Sequence, residues 1–150
     1  MTIKKWTILS SIALIILISF VYYQQIHLSI LGFNLPKKDL KDVIVQTEKN
    51  SYLVTDKNVV VKFAEDVSKW KKYSKIESFP PQTKTEKYKK LLIRTKDNTT
   101  YGGSIWVTKN KALLDSNGYY WDLDYKVLSN ILNASLKNAT LFNGSFSKIN

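Results

Sequence analysis

The sequence has no cysteine, one histidine (His27) and one methionine (Met1) among its 150 residues. Without cysteine there is no disulfide, no thiol nucleophile, no zinc finger and no iron–sulfur ligation. Lipid attachment through a cysteine is excluded as well. A single histidine rules out, within one chain, any site that needs two, H-E-x-x-H among them. Acidic residues are also scarce: 12 Asp+Glu stand against 23 Lys+Arg, a formal net charge of +11. By length the chain makes about one domain.

What is present is unevenly distributed. Trp6–Tyr23, WTILSSIALIILISFVYY, carries no charge. At 1.5 Å per residue it makes roughly 27 Å of helix, close to the ~30 Å hydrocarbon core of a bilayer. Its large apolar residues point all ways round, as lipid contact requires, and Trp6, Tyr22 and Tyr23 sit at the two ends, where amphipathic rings prefer the headgroups. Lys4 and Lys5 before an apolar run also suit a signal peptide, but no A-x-A-like pair follows Phe20, so an uncleaved anchor is expected. Positive charge next to the span favours a cytoplasmic N-terminus and a domain outside the cell membrane.

The expected organisation is a basic tail at 1–5, a transmembrane anchor at 6–23, an interfacial linker at 24–36, a basic α+β domain at 37–137 and a polar tail at 138–150. The linker reads as a helix lying along the headgroups through Ile26, Leu28, Ile30, Leu31, Phe33 and Leu35, ended by Gly32, Asn34 and Pro36. His27 stands there as a polar interfacial residue.

In the domain, Val43–Thr47 and Tyr52–Val54 read as strands. Asp56 caps a helix whose stripe is Val60, Phe63, Ala64, Val67 and Trp70, running to about Tyr73. Tyr88–Thr95, Tyr101–Thr108, Ala112–Leu114 and Tyr119–Leu123 read as antiparallel strands, the last two joined by Asn117-Gly118, the strongest hairpin signal in the chain. Val127, Leu128, Ile131, Leu132 and Leu136 form a second amphipathic helix with Asp124 at its start. The fold class is α+β: an antiparallel sheet of three to five strands packed with two helices.

Chemical motifs are few. S-x-x-K occurs at Ser68–Lys71 and Ser145–Lys148, without S-D-N or K-T-G companions. Gly102-Gly103 lacks the strand–loop–helix context of a phosphate cradle and reads as a bulge or a close approach within a strand. Asp115, Asp122 and Asp124 cluster in DSNGYYWDLD; facing across a cleft, two of them would suit a membrane-anchored envelope hydrolase. The spacing of Asp115 to Gly118 does not match a calcium loop. No catalytic residue, metal ligand or cofactor is assigned from these motifs.

The charge is more informative. Lys4 and Lys5 account for +2, which leaves +9 on the domain. Two clusters, KWKKYSK (Lys69–Lys75) and KTEKYKK (Lys84–Lys90), interleave lysine with aromatics. On a cytoplasmic protein that pattern would suggest nucleic acid. On a tethered outer domain the polyanions within reach are anionic lipid and wall polymers, and another membrane protein is the further candidate partner. Strand alternation turns Tyr101, Ile105, Val107, Tyr119, Trp121 and Leu123 towards the helices and Trp106 and Tyr120 away, with Lys90, Leu92 and Arg94 sharing one face. The candidate binding residues are therefore Lys69, Lys71, Lys72, Lys89, Lys90, Arg94, Trp106 and Tyr120. Together these features describe a single-pass, non-enzymatic binding or regulatory module of a bacterial envelope, with a protective, immunity-type role compatible with the layout. The carboxylate hydrolase is the alternative.

Overall fold

The computed structural model describes residues 3–76, 88–108, 111–123 and 125–142. Asp124, residues 109–110, most of KTEKYKK and the tail beyond residue 142 lie outside them.

α1 (Ile3–Ile26) is one uninterrupted helix of 24 residues, about 36 Å long. Within it Trp6–Ile26 is long and apolar enough to cross a membrane, and none of that stretch is buried against the rest of the protein. Ser10 and Ser11 donate their hydroxyls to the Thr7 carbonyl at 3.0 and 2.9 Å, so these two serines add no unmet polar demand.

The expected interfacial helix at 24–36 is replaced by a hairpin. β1 (His27–Ile30) pairs with β2 (Phe33–Pro36), from His27 opposite Pro36 to Ile30 opposite Phe33. The two-residue loop is Leu31-Gly32, both with positive φ (51° and 87°), the pattern of a type I′ turn. Ile30, Leu31 and Leu35 are buried in the main core. The folded unit therefore begins at His27 rather than at residue 37, because burying three aliphatic side chains in protein outweighs laying them on headgroups.

A 3₁₀ turn at Lys37–Asp39 leads into β3 (Leu40–Thr47) and β4 (Ser51–Val54). α2 (Lys57–Val67) follows, with Asp56 accepting the amides of Asn58 and Val59 at 2.9 and 3.1 Å. Then come β5 (Lys71–Lys75), β6 (Tyr88–Thr95), β7 (Thr100–Val107), β8 (Ala112–Ser116), β9 (Tyr119–Leu123), α3 (Tyr125–Ser135) and β10 (Thr140–Leu141). All but β1 and β2 join one antiparallel sheet of eight strands, in the order β10-β4-β3-β6-β7-β8-β9-β5. The α+β class holds, with more strands than the sequence suggests.

Two elements account for much of the difference. The first expected helix stops at Val67, and Lys71–Lys75 instead pairs with β9. Trp70 keeps its place on the apolar side because its amide bonds the Val67 carbonyl at 3.1 Å, closing a tighter turn. At the other edge Thr140 and Leu141, in the expected polar tail, pair with Leu53 and Tyr52 of β4.

An eight-stranded sheet is about 35 Å wide, whereas two helices of about 10 Å diameter cover little more than half of it. α2 packs on β3, β1 and α3. The hairpin β1–β2 covers the β7–β9 half: Phe33 packs on Tyr101 with ring centroids 4.9 Å apart, and Gly32 lies against Asn117 and Trp121. One core results, centred on Val43, Val45, Phe63, Leu91, Ile93, Leu114, Leu128 and Leu132. Ile105, Val107, Trp121 and Leu123 belong to it, with Tyr101 and Tyr119 at its margin, as alternation predicts.

Candidate functional site

The strand order separates the candidate cations. Lys69, Lys71 and Lys72 lie at the β5 end of the sheet, whereas Lys89 and Lys90 lie on β6, four ladder steps away, or about 19 Å. They do not form one patch.

On β6 each basic residue is engaged. Lys89 pairs with Glu48 at 3.4 Å. Lys90 stands opposite Gln46 and Ser104 in the ladder. Arg94 makes a two-pronged contact with Asp42, Nε to Oδ1 at 2.8 Å and Nη2 to Oδ2 at 2.7 Å. The Asp42 side chain is almost wholly buried. Its hydrogen bonds and charge push the Arg94 guanidinium further up from its ordinary pKa, against a smaller effect of burial. Arg94 is thus a bolt between β3 and β6 with its charge matched, also 5.6 Å from the Phe142 ring.

Trp106 faces away from the helices, but it is half-buried and its indole N–H donates to Asp115 Oδ2 at 2.9 Å. The same carboxylate accepts the Ser104 amide on Oδ1 at 2.5 Å. Tyr120 and Leu92, expected on an open face, are both buried. The far side of the sheet is therefore a second packed surface rather than an open aromatic platform.

The carboxylates of the alternative reading occupy related positions. Asp115 stands opposite Tyr120, and Asp122 opposite Leu113, which makes the two diagonal neighbours on one face, about 7–8 Å apart. Asp115 ties Ser104 and Trp106 to β8. Asp122 pairs with Lys111 at 2.7 Å, and the hydrogen bond to Asp122 pushes the Lys111 ammonium up from its usual pKa. Gly102 and Gly103 serve close approach: a β-carbon on Gly102 would stand 2.2 Å from the Leu91 carbonyl oxygen, and one on Gly103 1.9 Å from Asp115 Oδ1. Among the described residues no group of three or more His, Asp or Glu is placed to hold a metal ion.

The β5 end remains. Among the described residues β5 is the terminal strand of the sheet, and Lys71, Lys72, Tyr73 and Lys75 are all exposed along it. Lys72 lies over the Tyr119 ring, 3.8 Å from its centroid, and 5.7 Å from that of Trp121. Lys111 lies 4.1 Å from the centre of the Tyr73 ring. Lys69 pairs with Asp66 at 2.9 Å while staying largely exposed. Tyr73, Lys75 and Lys111 were not singled out from the sequence. KWKKYSK carries the signal for Tyr73 and Lys75, but a helix expected to run to about Tyr73 hides the strand edge along which they lie, and Lys111 stands outside that cluster.

No protein-family model matches the chain, and neither a curated protein nor a solved structure does.

Proposed function

We propose that the chain is a single-pass, membrane-anchored and non-enzymatic binding module of a cell envelope, with α1 uncleaved, its N-terminus in the cytoplasm and the α+β domain outside. Its ligand is an extended acidic segment of a partner protein, which adds to the sheet along β5. The observation that carries this reading is the terminal position of β5 together with its lysines. An edge strand presents a row of backbone donors and acceptors. Lysine along such an edge opposes pairing with a neutral or basic strand, and a second copy of β5 would set lysine against lysine. The same charges favour a strand that carries Glu or Asp, so repulsion and attraction together select the partner.

The test uses the full chain in detergent micelles and a fluorescent peptide of alternating Glu and Val. Binding is expected to weaken steeply with salt and to vanish in the Lys71→Glu, Lys75→Glu protein. A peptide of equal charge with proline in place of every valine lacks half the amide donors and is expected to bind far more weakly. Equal binding of the two peptides would show charge attraction without strand addition and would overturn the proposal. The topology has its own check: in intact protoplasts an external protease is expected to digest the domain, and full protection would refute the orientation.

A further inference from the structure

Three separated segments bring lysines to the end of the domain where α1 leaves it. Helix α1 ends at Ile26 and β1 begins at His27, whose ladder partner is Pro36. The Tyr23 hydroxyl meets the Asn34 amide, and the Tyr23 and His27 rings stack with centroids 4.0 Å apart. The 3₁₀ turn at Lys37–Asp39 therefore starts within about 13 Å of the helix end, since consecutive α-carbons are 3.8 Å apart and paired ones about 5 Å.

Other lysines are tied to that turn. Lys57 Nζ donates to the carbonyls of Lys37, Lys38 and Leu40 at 3.1, 3.3 and 2.6 Å. The Lys96 amide bonds the Asp39 carbonyl at 2.9 Å, and Lys41 Nζ bonds the Asn98 side chain at 2.8 Å on the β6–β7 turn. Burial, and then the nearby Lys96 charge, lower the Lys57 pKa, with Asp39 acting the other way. The other carboxylates of this ring turn back into the fold. Glu65 holds Lys37 at 2.6 Å, Asp56 caps α2, and Asp97 holds Thr95 and Thr99. Lys38, Lys41, Lys57 and Lys96 are exposed, and no carboxylate lies within ion-pair distance of them among the described residues.

We infer that this collar, led by Lys38, Lys41 and Lys96, seats the domain on the anionic phospholipid headgroups of the bilayer that α1 crosses. The inference rests on α1 being an anchor. The surface is distinct from the β5 edge, so the anchor, the hairpin and the collar fix how that edge is presented. Each lysine near an anionic surface adds about a five-fold preference for it, so the three collar lysines together favour the seated state about a hundred-fold.

Because the chain lacks cysteine, an Asn58→Cys protein takes a single fluorophore beside Lys57. It is reconstituted into vesicles of phosphatidylcholine alone and of phosphatidylcholine with phosphatidylglycerol, each containing a headgroup-labelled quencher lipid. Stronger quenching is expected in the anionic vesicles. It should fall to the neutral-vesicle level on adding Lys38→Glu, Lys41→Glu and Lys96→Glu, and, for the unreversed protein, in high salt. Flotation after alkaline extraction is read in parallel. A protein that floats but quenches equally in both vesicles overturns the collar alone. One stripped from the vesicles by alkali overturns the anchor beneath it.

Discussion

The carboxylate of Asp115 stands where a side chain on Gly103 would have to begin, its Oδ1 1.9 Å from that position. Gly103 is therefore required by Asp115, whose backbone carbonyl oxygen crowds the same point at 2.2 Å, and not by a ligand. Replacing it with alanine has to push Asp115 off the Ser104 amide and the Trp106 indole. We expect Gly103→Ala to cost about 2–4 kcal/mol, read from the urea midpoint of the solubilised protein. Gly118→Ala is the contrast: nothing lies within 4 Å of its missing side chain, and only its φ of +72° resists, so about 1–2 kcal/mol is expected. Equal costs at both positions would show that crowding at Gly103 is not the cause.

Leu31 sets turn geometry against burial. A leucine at φ 51° carries about 1–2 kcal/mol of strain that asparagine largely avoids, whereas a buried leucine reduced to a small side chain forfeits about 2–5 kcal/mol. Leu31 is 1% exposed, so burial prevails and Leu31→Asn should destabilise by about 1–3 kcal/mol. A rise in the midpoint would mean that the hairpin tip adds nothing to the core.

The hairpin also defines the folded unit. A chain beginning at His27 retains Ile30, Leu31 and Leu35, and one beginning at Lys37 loses all three from the core. The longer piece is expected to give a cooperative thermal transition and the shorter one none. A cooperative transition in the shorter piece would return the hairpin to the status of a linker.

Asp42 and Arg94 hold β3 to β6 through paired hydrogen bonds. Asp42→Ala strands a guanidinium with only 22% of its side chain exposed. We expect a loss of about 2–4 kcal/mol, the partial exposure of the arginine keeping it below that of a wholly buried pair. Arg94→Met with Asp42→Leu should recover much of it, because the charges leave together. No recovery in the double variant would show that the hydrogen-bond geometry, and not the stranded charge, sets the cost.

Acid reports on the β6–β7 turn. Hydrogen bonds from the Thr95 hydroxyl first, then from the Thr99 amide and hydroxyl, hold the Asp97 carboxyl below its ordinary value of 3.8. A depressed carboxylate stabilises the fold above the unfolded pKa, and that stability is lost as pH falls through the lower folded value. Urea midpoints should therefore decline below about pH 4, less steeply in Asp97→Asn. Parallel curves for the two proteins would remove Asp97 from the acid response.

Two turns of the same kind show where sequence reading stops. Asn117-Gly118 and Leu31-Gly32 both place two positive φ angles between antiparallel strands. Asparagine and glycine accept those angles by themselves, so the first turn is visible locally. Leucine does not, and only the core that receives it explains the second. The same division holds on the surface. Asp56 and the Val60–Val67 stripe announce α2, because capping and periodicity act within a few residues. The lysine clusters announced charge but not its placement, and Arg94 carries no hint in the chain that Asp42, on another strand, matches it.

Local chemistry by itself determined the apolar span, the alternating strands from Tyr88 onward, the cap at Asp56, the Asn-Gly turn and the exclusion of thiol and multi-histidine chemistry. Each depends on one residue type or on a period shorter than a helical turn or two. Tertiary structure decided where the folded unit begins, that Lys71–Lys75 is an edge strand, and which lysines meet. Those outcomes depend on covering an eight-stranded sheet that two short helices leave half bare, and on ladder neighbours drawn from distant segments. Area to be buried and backbone groups to be paired are properties of the assembled molecule, and no window of the sequence contains them.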